Sequence, residues 1–370
     1  MSPSDFEAHF SGPMAKVVGT KKIIVMLGAG GVGKTTTSVA TALLGAKTGK
    51  RVALLSIDPA KRLAAALGIP LGNDLRPIEW PQGETIKGSV DAAMLDQKAV
   101  FDRMVLRHAR GPEAAAKILE HPLYIAASSN LSGPLEYMAL AKLQELADDP
   151  KYDLIVLDTP PDTHALDFLA RPNVLSGFMD NKVMSWLIKP FLVAGRFGLG
   201  RLLSASEKLM GGIARITGGS ALRSFAEFLV LIQEVLEGFQ KSGERITGLL
   251  QSPETAFVLV TIPTPAAARS AAHLDLELRE LGYGVDVLVL NRCLDPIVGQ
   301  DISKMPQGEA RKWLFARLSR EDSVTRNLER QIQRTWTLKV KDQLQDMGSL
   351  GSMLDLAEQI GQSGATPPAC

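Results

Sequence analysis

Lys34 and Thr35 lie near the end of the stretch Gly28, Ala29, Gly30, Gly31, Val32, Gly33, Lys34, Thr35, Thr36. Its residue types and spacing fit a phosphate-binding loop, G-x-x-x-x-G-K-[ST], with Gly28, Gly33, Lys34 and Thr35 at the fixed positions. Glycines let backbone N–H groups converge on phosphate oxygens, and a helix opening behind them adds the positive end of its dipole. In that arrangement Lys34 reaches the terminal phosphates of a nucleotide and the Thr35 hydroxyl ligates Mg²⁺. The alternative is a glycine turn arising by chance. Against it stand four matching positions and two matching flanks: the apolar run Lys22 to Leu27 before the loop and the helix-forming run Ser38 to Lys47 after it.

Three further side chains stand where a nucleotide needs them. Arg51 to Ile57 reads as a second buried strand ending at Asp58, and ligands in open α/β sheets gather outside the carboxyl ends of strands. Asp58 also precedes Pro59 and can cap a helix, so both readings stay open. Lys151 to Asp158 (KYDLIVLD) is an apolar strand ending in an acid. This is the Walker B pattern, whose carboxylate holds the Mg²⁺ shell. Val285 to Asn291 is another strand, ending in an amide able to read an adenine edge. Between these, His164 in the stretch Asp158 to Pro172 either senses the terminal phosphate or packs in a turn.

The elements that must hold these residues alternate strand and helix. Residues 68–90 are loop-like, Asp91 to Ala109 is helical in spacing, and helices follow from Pro112 and over Pro134 to Ala147. Ser176 to Leu250 breaks the alternation and carries no credible strand. Between Lys182 and Arg223 it holds seven basic residues and one acid, Glu207, amid Phe178, Met179, Met184, Trp186, Phe191, Met210 and Phe225. Lys182, Lys189 and Arg196, then Arg201, Lys208 and Arg215, recur at sevens, which returns each charge to one helix face. Such a segment is either an apolar surface for a client or membrane, or a helical subdomain with a solvated basic face. Strands over Thr255 to Ile262 and Thr335 to Val340, with helices over Pro265 to Leu281, Ser323 to Arg334 and Ser349 to Ile360, resume the alternation.

The expected architecture is α/β: a doubly wound, mainly parallel sheet of P-loop NTPase type with a helical insertion subdomain. Residues 1–20 are expected to be flexible, and 21–175 to form the first part of the ATPase domain, with a helical segment over about 91–149. Residues 176–250 would be the helical client- or membrane-type subdomain, 251–360 the second part of the ATPase domain, and 361–370 a disordered tail.

Composition excludes several classes. In 370 residues the chain is 45% hydrophobic and 22% charged, with a net charge of +1, so nothing drives it as a whole onto nucleic acid or an anionic membrane. Cys293 and Cys370 are the only cysteines, far apart and without C-x-x-C, so no disulfide framework or thiolate metal site is legible, which fits a cytoplasmic enzyme. The first sixteen residues lack the pattern of a signal peptide, Cys370 is misplaced for prenylation, and no apolar run is long enough to span a bilayer.

The loop, Ser56 to Ala60 (SIDPA), and Asp158 to Leu169 (DTPPDTHALDFL) occur in that order, followed by the helical insertion and the strand ending at Asn291. Together they resemble the arsenite-pump ATPase family, which includes the tail-anchored-protein targeting factor and belongs to the deviant Walker A class. The resemblance covers about residues 20–360. It implies a Mg²⁺-dependent ATPase that closes over ATP as a dimer, opens after hydrolysis, and captures and releases a hydrophobic protein segment. By that resemblance Lys34, Asp58 and Asp158 are catalytic, with Asp58 orienting the attacking water. Thr35, Asp58 and Asp158 serve the metal, residues 28–36 and Asn291 hold the nucleotide, and Asp162 to His164 form a second switch. Residue 29 departs from the family: a signature lysine that crosses the dimer is replaced by Ala29, which implies another cation or a heterodimer with a lysine-bearing relative, and slow hydrolysis by a homodimer. The zinc-clamping C-x-x-C and the arsenite-binding cysteines are missing, so neither zinc nor arsenite stimulation is expected. A membrane-associated scaffold at the cytoplasmic face and an ATPase subunit of an anion transport system are the alternatives. A nucleic-acid partner is not expected, and no acceptor site for a small-molecule kinase is evident.

Overall fold

The computed structural model describes residues 10–58, 62–81, 83, 86–95, 97–125, 135–160, 228, 231–233, 235, 245, 247–294, 302–333, 335–343 and 349–362. The chain divides into two compact units, one of residues 1–95, 142–169 and 248–370, the other of 96–141 and 170–247.

In the first unit, helix α1 (Pro13–Thr20) leads into β1 (Ile23–Leu27), whose five residues IIVML are all buried. A run without polar alternation is what a strand covered on both faces requires. Helix α2 (Lys34–Lys47) follows the glycine loop and is buried from Thr37 through Ala46, so its sequence is apolar or small nearly all round rather than striped. Strand β2 (Arg51–Ser56), the short helix α3 (Arg62–Leu67), and strands β3 (Arg76–Pro77) and β4 (Ser89–Met94) come next. In the second unit, α4 (Gln97–His108) and α5 (Pro112–Leu119) enclose a small apolar cluster of Val105, Ala115, Ile118, Tyr124 and Val235. There the Tyr124 hydroxyl donates to Asp102 Oδ1 at 2.8 Å. Helix α6 (Leu135–Asp148) then runs to β5 (Leu154–Asp158). After the insertion come β6 (Thr255–Thr261), α7 (Pro265–Glu280), β7 (Val287–Cys293), α8 (Glu309–Gln331), β8 (Trp336–Lys341) and α9 (Leu350–Gln362).

Among the described residues, eight strands form one sheet in the order β3-β4-β2-β5-β1-β6-β7-β8. Every pairing is parallel except that of β3 with β4, so the α/β doubly wound class holds. Strand β5 lies between β1 and β2, which brings the carboxyl ends of all three side by side. Such a point is where this class of sheet binds ligands.

Two expectations are corrected. Residues 91–94 are not the start of a helix: they belong to β4, paired with β2 from Arg51–Ser89 to Ser56–Met94. Alanine and methionine favour helix locally, but pairing beside a buried strand outweighs propensity. Asp91, in the middle of β4, accepts from the Tyr152 hydroxyl at 2.8 Å and is paired with Lys151. The N-terminal twenty residues are also not all a loose leader. Residues 13–20 are helical, and Met14 and Val18 are fully buried in the same cluster as Leu43, Leu44 and Ile360. Gly361 permits this closeness, since a Cβ there would lie 2.4 Å from the Phe10 ring. Most of the basic segment 176–250, the second switch at Asp162 to His164, and the tail at 363–370 lie outside the described residues.

Candidate active site

The loop leaves β1 at Gly28 and enters α2 at Lys34. Gly28 has φ +150°, and a Cβ there would stand 2.3 Å from the Val260 carbonyl oxygen, so the backbone of β6 closes on the loop where it begins. Gly33 has φ +92° and caps α2, and a Cβ there would lie 2.1 Å from Asn291 Nδ2. Only glycine combines that dihedral with that approach.

Asn291 acts on the loop directly. Its Nδ2 donates to the Val32 carbonyl at 2.9 Å, and its Oδ1 accepts from the Arg292 N–H at 2.9 Å. The expected adenine reader is therefore also the brace under the loop.

Asp158 is the centre of the arrangement and is fully buried. Its Oδ2 accepts from Thr35 Oγ1 at 2.9 Å and from Ser56 Oγ at 3.1 Å, and its Oδ1 accepts from Ser38 Oγ at 3.1 Å. Ser38 also lies 2.9 Å from the Lys34 carbonyl, so its one proton is shared between two acceptors. Burial pushes the Asp158 carboxyl above the usual range, while the nearby charge of Lys34 and the three hydroxyls act the other way. Sheet register sets the meeting: Ser56 and Met26 stand directly beside Asp158 on the two neighbouring strands. Thr159 fastens the strand end by donating to the Met26 carbonyl at 2.7 Å.

Asp58 joins from β2. Its N–H donates to Ser56 Oγ at 3.3 Å, its side chain is 2% exposed, and its Oδ2 pairs with Arg62 Nη1 at 2.6 Å. Arg62 opens α3, whereas residues 59–61, which would show whether Asp58 caps a helix turn at Pro59, lie outside the described residues. Lys34 is 5% exposed, and within residues 28–36 it is the single cation, position 29 being alanine.

Thr35 and Asp158 thus present a hydroxyl and a carboxylate oxygen 2.9 Å apart. Two hard oxygens at the foot of a phosphate loop fit Mg²⁺, which takes few protein ligands and fills its shell with phosphates and water. One hydrogen-bond network joins Thr35 and Asp158 to the Lys34 carbonyl and the Asp58 N–H, and Asn291 bonds the loop separately at the Val32 carbonyl. Sequence reading overlooked Ser38, Ser56, Thr159 and Arg62. Spacing held a signal for three of them. Ser38 is one helical turn from Thr35, Ser56 ends β2 two residues before Asp58, and Arg62 follows Asp58 by four.

A strand, a glycine loop capped by a buried lysine, and a hydroxyl–carboxylate pair at the switch point of a parallel sheet define a P-loop nucleotide-hydrolysing protein. The chain matches the anion-transporting ATPase family over residues 21–313 and belongs to that family. It is similar to "ATPase ASNA1 homolog 1" of Paramecium tetraurelia, with 28% identity over 75% of this chain and 76% of that protein. It is also similar to "ATPase get3" of Sclerotinia sclerotiorum, with 28% identity over 74% of this chain and 73% of that one. A protein of Malassezia globosa, "ATPase GET3", is 26% identical over 74% and 72%. The chain is an ATPase. Among the described residues no helix is long and apolar enough to cross a membrane.

Proposed function

We propose that this ATPase uses ATP binding and hydrolysis to close and open a dimer, and that the cycle drives capture and release of a hydrophobic protein segment in the cytoplasm. The observation that carries this reading is the network joining Thr35, Asp158, Ser56 and Asp58. It ties the end of β2 to the phosphate loop, so a change at the terminal phosphate bears directly on Asp58. The apolar and basic composition of residues 176–250 supports a hydrophobic client, because Met- and Phe-bearing surfaces accept varied apolar partners.

In this reading the backbone of residues 28–36 and the Lys34 ammonium bind the phosphates. Asp58 orients the attacking water, and Asn291 contacts adenine while it keeps the loop in place. Thr35 and Asp158, with Asp58 nearby, would hold Mg²⁺, which would supply positive charge to offset that of the phosphates. Catalysis of this kind is positioning and charge stabilisation. The alanine at position 29 is consistent with slow turnover by a homodimer and faster turnover when a lysine-bearing relative completes the pair.

The test is binding of a fluorescent apolar helical peptide to the full chain in the presence of MgADP or a slowly hydrolysed ATP analogue. Nucleotide-dependent affinity supports the client reading. Equal affinity in both states refutes it, and ATP-dependent sedimentation with anionic vesicles but not with peptide favours the membrane scaffold.

A further inference from the structure

Asp58 and Arg62 form an ion pair in which only one partner is solvated: the aspartate side chain is 2% exposed and the arginine side chain 52%. An enclosed carboxylate needs a countercharge, and a guanidinium that gives one N–H to it keeps others for a second acceptor. The pair is connected to the phosphate loop by short steps. The Asp58 N–H donates to Ser56 Oγ, and Ser56 Oγ and Thr35 Oγ1 converge on Asp158 Oδ2. The loop itself carries one cation, Lys34, against a triphosphate that brings several negative charges. Phosphoryl transfer is accelerated chiefly by cations placed where charge develops, and an arginine supplied in cis is one recurring source. The Arg62 guanidinium takes up one acceptor position on Asp58 Oδ2, at 2.6 Å, which a water would otherwise compete for.

We propose that Arg62 is a cis-acting arginine with two alternative partners: the Asp58 carboxylate, with which it is paired here, and the terminal phosphate of bound ATP. This deepens, and rests on, the ATPase reading of the site. A single exchange of partners does two things. It uncovers Asp58 to orient water, and it delivers a planar, bidentate donor to the phosphate that is to be transferred. The guanidinium suits the task because it stays charged and matches phosphate geometry, which a lysine ammonium does only as a point charge. ADP, lacking the terminal phosphate, leaves the Arg62–Asp58 pair in place, so the resting state returns after hydrolysis.

The experiment is calorimetric titration of the full chain with MgADP and with the magnesium complex of a thiophosphate ATP analogue. It compares the unsubstituted protein with Arg62→Gln, Arg62→Lys, Asp58→Asn and the Asp58→Asn/Arg62→Gln double variant. Arg62→Gln is expected to weaken the triphosphate about tenfold or more and to leave ADP within about twofold, the size expected of a lost charge-assisted hydrogen bond. Arg62→Lys, which keeps the charge and loses the fork, should fall between. Asp58→Asn removes the competing partner and should tighten the triphosphate severalfold, a gain that vanishes in the double variant. Thermal unfolding by circular dichroism confirms that each variant is folded, and Arg62→Lys serves if Arg62→Gln is not. Weakening of both nucleotides alike, or no weakening, overturns the proposal, as does Asp58→Asn without any tightening. An unsubstituted protein that binds neither nucleotide overturns the ATPase reading itself, a different result.

Discussion

Replacing Gly33 by alanine tests the loop in a way that separates two costs. The first is conformational: at φ +92° an alanine sits in the left-handed region, at about 1–2 kcal/mol. The second is steric. The new Cβ would lie 2.1 Å from Asn291 Nδ2, so the amide has to leave and the Val32 carbonyl loses its donor. Losing that bond at a partly buried site costs about 1–3 kcal/mol. Gly33→Ala alone is therefore expected to lower stability by about 2–5 kcal/mol, and Asn291→Ala alone by the second amount only. In an Asn291→Ala background the alanine at 33 has nothing to displace, so its added cost falls to the conformational part. The double variant should resemble Gly33→Ala, with a coupling of about 1–3 kcal/mol between the two positions. Urea unfolding of the nucleotide-free protein measures all four corners of the cycle. MgADP affinity should drop in both single variants, because the N–H groups proposed to bind the phosphates lie on this loop. Additivity within about 0.5 kcal/mol would show that Asn291 does not brace the loop, and the reasoning would fail.

Other consequences are equally direct. Burial raises the Asp158 pKa, so the native state holds its proton to a higher pH than the unfolded chain does. Native stability from this group is then present at low pH and declines as pH rises from the ordinary carboxylate range, near 3.8, through the raised native value. Asp158→Asn should flatten that decline in the nucleotide-free protein while abolishing metal-dependent ATP hydrolysis; a steeper decline in the variant would count against the assignment. Met14 is fully buried, so Met14→Ala should cost about 2–5 kcal/mol in chemical denaturation, whereas an unattached leader would show no change. Burial also pushes the Cys293 thiol up to about 12, with Glu321 adding to the effect. Native-state alkylation of Cys293 at pH 8, followed by peptide mapping, should be slow and should track unfolding, and rapid labelling would contradict the burial.

Much of the fold was legible because its strands are short, apolar and closed by turn residues. IIVML, RVALLS, LIVLD and TAFVLVT can be little else in a chain that alternates with helices. Strand β4 was not, since SVDAAM carries no β-branched run and its alanines and methionine favour helix; its neighbour β2 decides its state. Helix α1 escaped notice because eight residues near a terminus carry little local signal. Its worth lies in packing with Leu43 and Leu44, some twenty-five positions away, and with Ile360 at the far end of the chain.

For the site, the loop motif named Gly28, Gly33, Lys34 and Thr35, and strand ends named Asp58, Asp158 and Asn291, because each residue type follows from local geometry and from the chemistry of phosphate. What sequence alone determined, then, was a glycine loop closing on Lys34 and Thr35, the composition expected of a phosphate cradle, and its place at the carboxyl edge of a parallel sheet. The tertiary structure alone decided who meets whom. Ser56 faces Asp158 across a gap of 102 positions because β5 inserts between β1 and β2 in a particular register. Asn291 reaches Val32 across 259 positions because β6 and β7 stack in order beside β1. Spacing along a chain fixes neighbours within a turn or a strand, whereas strand order and register set the distances between segments, and those depend on how the whole apolar surface is buried at once.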